Sequence, residues 1–239
     1  MQTTFLLDLH LMKSPYASAL TDYHTTGKSK TLWLHNSYDK PEEMPVWYFF
    51  RSYEEMSELE QMALSICDGQ ILDVGAGVGC HAAVLQAMGK KVMAIDNCSE
   101  AVSIMRANDI LAVKEADFFQ FDEGRFDTLL LLMNGLGLIG KLERLEQFLH
   151  QADQLLHPGG QIILDSSDIQ YLYPEQKPKD KYYGEVQFQY EYDGQKGEWF
   201  DWVYVDMDTL TEKAYDLGWI TYILHKDEND QYLARLVRK

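Results

Sequence analysis

The stretch ILDVGAGVGCHAAVL, residues 71–85, sets glycines at 75, 77 and 79 between an apolar run and an Ala-rich segment. Each glycine costs backbone entropy. Three at alternate positions therefore mark either a tight turn or a main chain that a ligand approaches more closely than any Cβ allows. The apolar run QILDV reads as a strand, and CHAAVLQAMG as a helix that stops at Gly89. A strand, glycine turn and helix in that order are where a nucleotide-type ligand sits in an open α/β sheet. The next apolar run, KVMAID, ends at Asp96, 17 residues after Gly79, close to the spacing of an acid that holds ribose hydroxyls.

The alternation continues downstream. Ser99 is placed to cap a helix over EAVSIMRAND, and ILAVKEAD and FDTLLLLMN read as a third and fourth strand. Leu142, Leu145, Phe148, Leu149, Ala152 and Leu156 share one face of a helix that Pro-Gly-Gly ends before a fifth strand, QIILD. Near-continuous Leu, Ile and Val in the strands mark a sheet covered on both faces, and the alternation predicts a doubly wound, mostly parallel α/β fold.

After residue 168 the pattern changes. EVQFQYEYDGQKGEWFDWVYV reads as a β-hairpin about Asp193-Gly194. Thr209 and Glu212 form a candidate capping box, and ITYILHK with QYLARLVRK close the chain as an antiparallel pair. The expected division is an N-terminal cap or helical lid over 1–70 and a Rossmann-like domain over 71–239, with the hairpin inserted at about 185–205. In the cap, Ser52 and Glu55 make a second candidate capping box, ahead of Met56, Leu59, Ala63 and Ile66 on one helical face. LWLHNSYDKPEEMPVWYFF reads as aromatic and irregular.

Composition narrows the partners. At 46% hydrophobic and 25% charged, 239 residues suit an ordinary globular chain with a sizeable core. Against 38 acids stand 21 bases, a net charge of −17. That field repels phosphate backbones, and no Lys/Arg run offsets it, so no nucleic-acid partner is expected. No segment reaches the roughly 20 apolar residues of a membrane span. FLLDLHLM, broken by Asp8 and His10 and lacking a basic leader, does not read as a signal peptide. A cytoplasmic protein without membrane contact is expected. Cys67, Cys80 and Cys98 are odd in number and lack metal spacing, which fits buried thiols in a reducing compartment. The seven histidines show no paired spacing, and no metal is expected. TTGKSK at 25–30 imitates the end of a phosphate loop, but Asp22 stands where that loop needs glycine.

A dinucleotide fingerprint requires a third glycine three positions after the second; here that position is Cys80. The pattern from Asp73 to Gly79, Asp-x-Gly-x-Gly-x-Gly, instead resembles the first motif of the class I S-adenosylmethionine-dependent methyltransferases. The resemblance covers residues 71–168, with a continuation to 239. LLHPGGQIILD looks like the family's turn into strand five, and the closing hairpin like its reversed seventh strand beside the sixth. It implies a seven-stranded sheet with an antiparallel C-terminal strand, S-adenosyl-L-methionine as cofactor and S-adenosyl-L-homocysteine as product. It also implies a cofactor site. Asp73, Gly75, Ala76, Gly77 and Gly79 would form the turn, with Asp96 and Asn97 beside the ribose. Asp117 would accept from the adenine amine while the Phe118 main chain and ring frame the base, and Met133, Asn134 and Gly135 would line the methionine part. One departure, Asn134-Gly135-Leu136-Gly137 in place of Asn/Asp-Pro-Pro-Tyr, points away from base or glutamine nitrogens as acceptors.

Methyl transfer from a sulfonium is an in-line displacement that needs alignment and dryness, so Asp73 and Asp96 suit cofactor positioning better than proton transfer. The expected acceptor is a small molecule held above the C-terminal edge of the sheet. Trp47, Tyr48, Tyr183, Trp199 and Trp202 either wall its pocket, offering π faces to a cationic group, or pack an appended mini-core. Asp165 either touches a ligand or caps a helix, and His35 is the histidine to test as a base. The alternatives are an NAD-type oxidoreductase and a catalytically silent, cofactor-binding sensor or partner protein. A homodimer stays open.

Overall fold

Residues 14–239 are described by the computed structural model; FLLDLHLM and the rest of the first 13 lie outside the described residues. The first elements are α1 (Pro15–Thr26), β1 (Leu32–Asn36), β2 (Glu42–Met44), a 3₁₀ turn at Val46–Phe50 and α2 (Glu58–Ile66). Then come β3 (Gln70–Val74), α3 (Cys80–Ala87), β4 (Lys91–Asp96), α4 (Ser99–Ala107), β5 (Val113–Glu115), β6 (Phe126–Leu131), α5 (Leu145–Leu155) and β7 (Leu156–Ser167). The chain closes with β8 (Glu185–Tyr192), β9 (Gln195–Lys196), β10 (Phe200–Val203), α6 (Met207–Asp216), β11 (Trp219–Lys226) and β12 (Gln231–Arg238).

The central sheet has seven strands in the order β11-β12-β7-β6-β3-β4-β5. Strands β3 to β7 are parallel neighbours, and β12 runs antiparallel to both β7 and β11. Its two apolar faces follow from the period-two alternation of side chains. Ile71, Leu130, Ile163 and Leu233 pack with Leu59, Ala63, Leu85 and Met105. Leu72, Leu129, Leu131 and Leu164 pack with Phe148, Leu149, Leu210 and Ala214 on the other side.

The stretch expected to be irregular is partly strand. β1 and β2 join the hairpin in a five-stranded accessory sheet, β10-β8-β1-β2 with β9 on β8. Cross-strand pairs Leu32–Tyr192, Leu34–Tyr190 and Asn36–Phe188 share one face, and Trp33 and His35 point to the other.

Several expected boundaries move. Helix α5 ends at Leu155, because Leu156 is already extended and pairs with Phe126; Pro-Gly-Gly lies inside β7, where the register slips. The third strand keeps only Val113–Glu115. Cys98, rather than Ser99, holds the cap position of α4. The Ser52–Glu55 box is present but closes one 3₁₀ turn, while Ser57 with Glu60 opens α2. Asp206, not Thr209, caps α6 by accepting from the Thr209 N–H at 3.0 Å. TTGKSK is a helix stop: Gly27, at φ +70°, donates its N–H to the Tyr23 carbonyl. Cys67 is buried, its thiol pushed up to about 12 by desolvation, whereas Cys80 and Cys98 are half-buried; all three are free. Among the described residues no helix is long and apolar enough to cross a membrane.

Candidate functional site

Chain order reverses between β3 and β6, which are adjacent in the sheet, so their C-terminal ends flank the crevice where open α/β sheets take ligands. The glycine turn leaves β3 there, with Gly75, Gly77 and Gly79 at φ +67°, +57° and +84°. The three have different physical reasons. A Cβ on Gly79 would overlap Ile110 and Met105, so this glycine lets α3 pack on α4 and the loop after it. A Cβ on Gly75 would meet nothing within 4 Å and project into open space. Gly79→Ala should therefore cost about 2–5 kcal/mol in denaturant unfolding, from the left-handed backbone and overpacking together. Gly75→Ala should cost only about 1–2 kcal/mol from its backbone and act mainly on ligand affinity. Equal stability losses would refute the distinction.

Two acids back this turn. Asp96, at the end of β4, accepts from the Gly77 N–H and the Cys98 N–H, each at 2.8 Å. Burial raises its pKa against those amides. Asp73 is 2% exposed, and its Oδ2 has no hydrogen-bond partner. Burial pushes it up to about 6; nearby Asp96 adds to this, and His81 and the Ala82 N–H oppose it. Ala76 is tied in place by its N–H to the Ile95 carbonyl at 3.0 Å.

Behind the turn lies a buried ionic network that spacing did not reveal. Glu60 accepts both arms of Arg51, at 2.9 and 2.7 Å, and Nε2 of His81 at 2.8 Å. The Arg51 guanidinium lies 3.3 Å from the Tyr48 ring centre. Desolvation would lower His81, but Cys80, Glu60 and Asp73 beside it raise its pKa well above the usual value. The network thus ties the 3₁₀ turn, α2 and α3 together behind Asp73.

Asn97, Ala116, Asp117 and Phe121 line an open cleft of about 410 Å³ beside β4 and β5. Asp117 is exposed there and accepts from the Phe119 N–H at 2.8 Å. The Phe118 ring, expected to frame a base, is 4% exposed and packs against Phe148 at 5.3 Å. Its carbonyl takes the Gln151 amide. The 3₁₀ turn at 118–120 puts both Phe118 and Phe121 in the core, with Phe121 at the floor of the cleft.

Across the crevice, β6 ends in two consecutive left-handed residues, Met133 at φ +63° and Asn134 at φ +55°. This conformation costs L-residues about 1–2 kcal/mol each, and it is held by its surroundings. Asn134 Oδ1 accepts from the Ser167 hydroxyl at 2.8 Å, and the Gly135 N–H donates to Asp165 at 3.4 Å. Asp165 is fully buried and also takes the Gln231 amide at 2.7 Å. Burial pushes it up to about 6 against those bonds. Asp165 is therefore a prop for this turn rather than a group facing an acceptor. Strained backbone of this kind clusters at ligand sites.

The aromatic candidates separate. Trp202 of β10 sits so tightly on Gly137 that a Cβ there would overlap its indole. Tyr48 belongs to the Arg51 network. Tyr183 is buried and donates to Asp168 at 2.8 Å. Trp47 and Trp199 are 47% and 48% exposed; Trp47 meets the Tyr48 ring edge-on at 5.7 Å. His35 points away from the crevice, on the outer face of the accessory sheet, and meets Glu191 at 2.7 Å. Two tyrosines unanticipated from sequence take the inner position. Tyr16 of α1 lies 3.5 Å from where a Gly77 Cβ would be, and stacks on Tyr190 of β8 at 5.1 Å.

The family model described as a methyltransferase domain matches residues 72–164. A solved S-adenosylmethionine-dependent methyltransferase from Bacteroides fragilis, in complex with S-adenosyl-L-homocysteine, is 39% identical over 95% of each chain, with a TM-score of 0.88. The chain is a class I S-adenosylmethionine-dependent methyltransferase. This methyltransferase shares its fold with CcbJ from Streptomyces caelestis, at 14% identity, 76% of this chain and 94% of that one, TM-score 0.63. It also shares the fold of DhpI, solved as a DhpI-SAM-HEP complex, at 16% identity, 93% and 94% coverage, TM-score 0.65. No curated protein matches the methyltransferase in sequence. Membership sets aside the NAD-type oxidoreductase and the silent sensor as readings.

Proposed function

We propose that this methyltransferase acts on a small molecule in the cytoplasm, with cofactor held on the glycine turn and acceptor held beneath the accessory sheet. The observation that carries this is the seating of that sheet. It meets the glycine turn through Tyr16, which Tyr190 stacks upon, and the β6 turn through Trp202 on Gly137. An acceptor enclosed between those contacts must be compact, and the free cysteines suit a reducing compartment.

The residues present fit the cofactor. Asp73 Oδ2 is a buried acceptor lacking a donor, Gly75 leaves space for a ligand against the main chain, and Asp96 keeps lone pairs beyond the two it gives to backbone N–H groups. Asn97 and Asp117 would face the base from the cleft beside β5, and Met133 to Gly135 the methionine end. When bound, S-adenosylmethionine supplies a methyl group on a sulfonium. The chain's own contribution is orientation and exclusion of water, for which alignment contributes about 7–11 kcal/mol.

Calorimetry on the intact protein should give saturable heat with S-adenosylhomocysteine and none with NAD. Methyl-labelled S-adenosylmethionine, incubated with the protein and a cell extract split by size, should label the low-mass fraction. Label confined to protein or nucleic acid would overturn the small-molecule reading.

A further inference from the structure

The inner face of the accessory sheet gathers phenols whose hydroxyls bond no protein group among the described residues. Four tyrosines bond protein groups through their hydroxyls: Tyr182 to Asp206 at 2.6 Å, Tyr183 to Asp168 at 2.8 Å, Tyr192 to Asp22 at 2.8 Å and Tyr232 to the Val205 carbonyl at 2.6 Å. Among the described residues, the half-buried Tyr16, Tyr38, Tyr190 and Tyr204 have no such partner for their hydroxyls. None of the four is a buried atom without a partner, so each hydroxyl is open to solvent or to a ligand.

Their rings run in series. Tyr190 stacks on Tyr16 at 5.1 Å and on Phe200 at 5.5 Å. Phe188, cross-strand from Phe200, has Phe200 at 6.1 Å, Tyr204 at 6.4 Å and Tyr38 at 6.3 Å. The series starts over Gly77 and ends near Glu42, an exposed carboxylate that accepts from Asn36 at 3.4 Å.

The charges at its two ends have one sign. Burial, with Asp96 acting on Tyr16 and Tyr190 and Glu42 on Tyr38 and Tyr204, raises all four phenols, Tyr190 to about 12. They remain neutral O–H groups at physiological pH. Three basic side chains around the face are paired with acids: Arg51 with Glu60, Lys141 with Asp201, and Lys196 with Glu191 on the outer face. A carboxylate or phosphate would meet acids of its own sign at both ends of the series. A cation would meet ring faces, hydroxyl oxygens and two carboxylates.

We propose that this phenol-lined face binds the methyl acceptor, and that the acceptor is a small organic amine carried in as its cation. This rests on the small-molecule reading above, so the test separates the two. Phenethylamine and phenylacetate, equal in ring and opposite in charge, are titrated by calorimetry into the intact protein with and without saturating S-adenosylhomocysteine. Phenethylamine should bind and phenylacetate should not. Tyr204→Phe and Glu42→Gln, each retaining its neighbours' packing, should weaken phenethylamine at least tenfold while S-adenosylhomocysteine binds within twofold of the unsubstituted protein. Binding of phenylacetate in place of phenethylamine, response to neither, or undiminished amine affinity in both variants overturns the amine assignment. Absent heat with S-adenosylhomocysteine alone strikes instead at the cofactor-site reading, and the amine titration still reports on this face.

Discussion

Glu60→Gln should lower folding stability by about 3–5 kcal/mol in chemical denaturation, because a neutral amide then faces two buried cations. Glu60 is 3% exposed and accepts from Arg51, His81 and the Ser57 N–H, the last at 2.9 Å. Burial drives its pKa up, but His81, the Ser57 amide and Arg51 outweigh that and hold it at about 2. The sign follows from a native value below the ordinary 4.5. Its contribution is fully present above pH 4.5 and is lost as pH falls toward 2. His81, raised above its ordinary 6.5, works oppositely: its contribution is complete below pH 6.5 and fades as pH rises through its native value. The acid-side loss should be missing from the Glu60→Gln profile. A variant within about 1 kcal/mol of the parent would mean the network does not hold these elements together.

Asp73→Asn should move stability and binding in opposite directions. Asp73 has a native value of about 6 against an ordinary 3.8. Its favourable contribution is complete below pH 3.8 and lost as pH rises through 6, leaving a buried, ionised carboxylate whose Oδ2 has no donor above that. Asparagine keeps the neutral state at every pH. The variant should be more stable than the parent by about 1–3 kcal/mol at pH 8, with the difference closing as pH falls below 4. Affinity for S-adenosylhomocysteine should drop at least tenfold, since Oδ2, a buried acceptor without a protein donor, suits a cationic group of the cofactor. Thermal denaturation across pH, paired with calorimetry, reads both effects. Unchanged affinity would remove Asp73 from the cofactor site.

How much was legible in advance can be followed residue by residue. The glycine turn, the strand ending at Asp96 and the closing antiparallel pair were readable because each depends on a local period or on spacing within one βα unit. The joint burial of Phe118 and Phe121 was not: EADFFQF contains three phenylalanines, and which of them face the core depends on how the short 3₁₀ turn is wound. Met133 carries no sign that it adopts positive φ. That conformation exists because Ser167, Asp165 and Gln231, on β7 and β12, grip the turn from behind. Ser57 and Glu60 repeat the Ser52–Glu55 spacing five residues on, and nothing in that local spacing shows that Glu60 both caps a helix and anchors Arg51 and His81.

Taken alone, the order of residues established the doubly wound sheet, the glycine turn and the family, since these are written in hydrophobic alternation and in a motif seven residues long. It could not place β1 against β8, where Leu32 meets Tyr192, because nothing local records a partner so distant in the chain. The accessory sheet, the series of phenols along its inner face and the outward turn of His35 were decided by that pairing. A strand's period says which residues share a face, and only the strand it pairs with decides what that face covers.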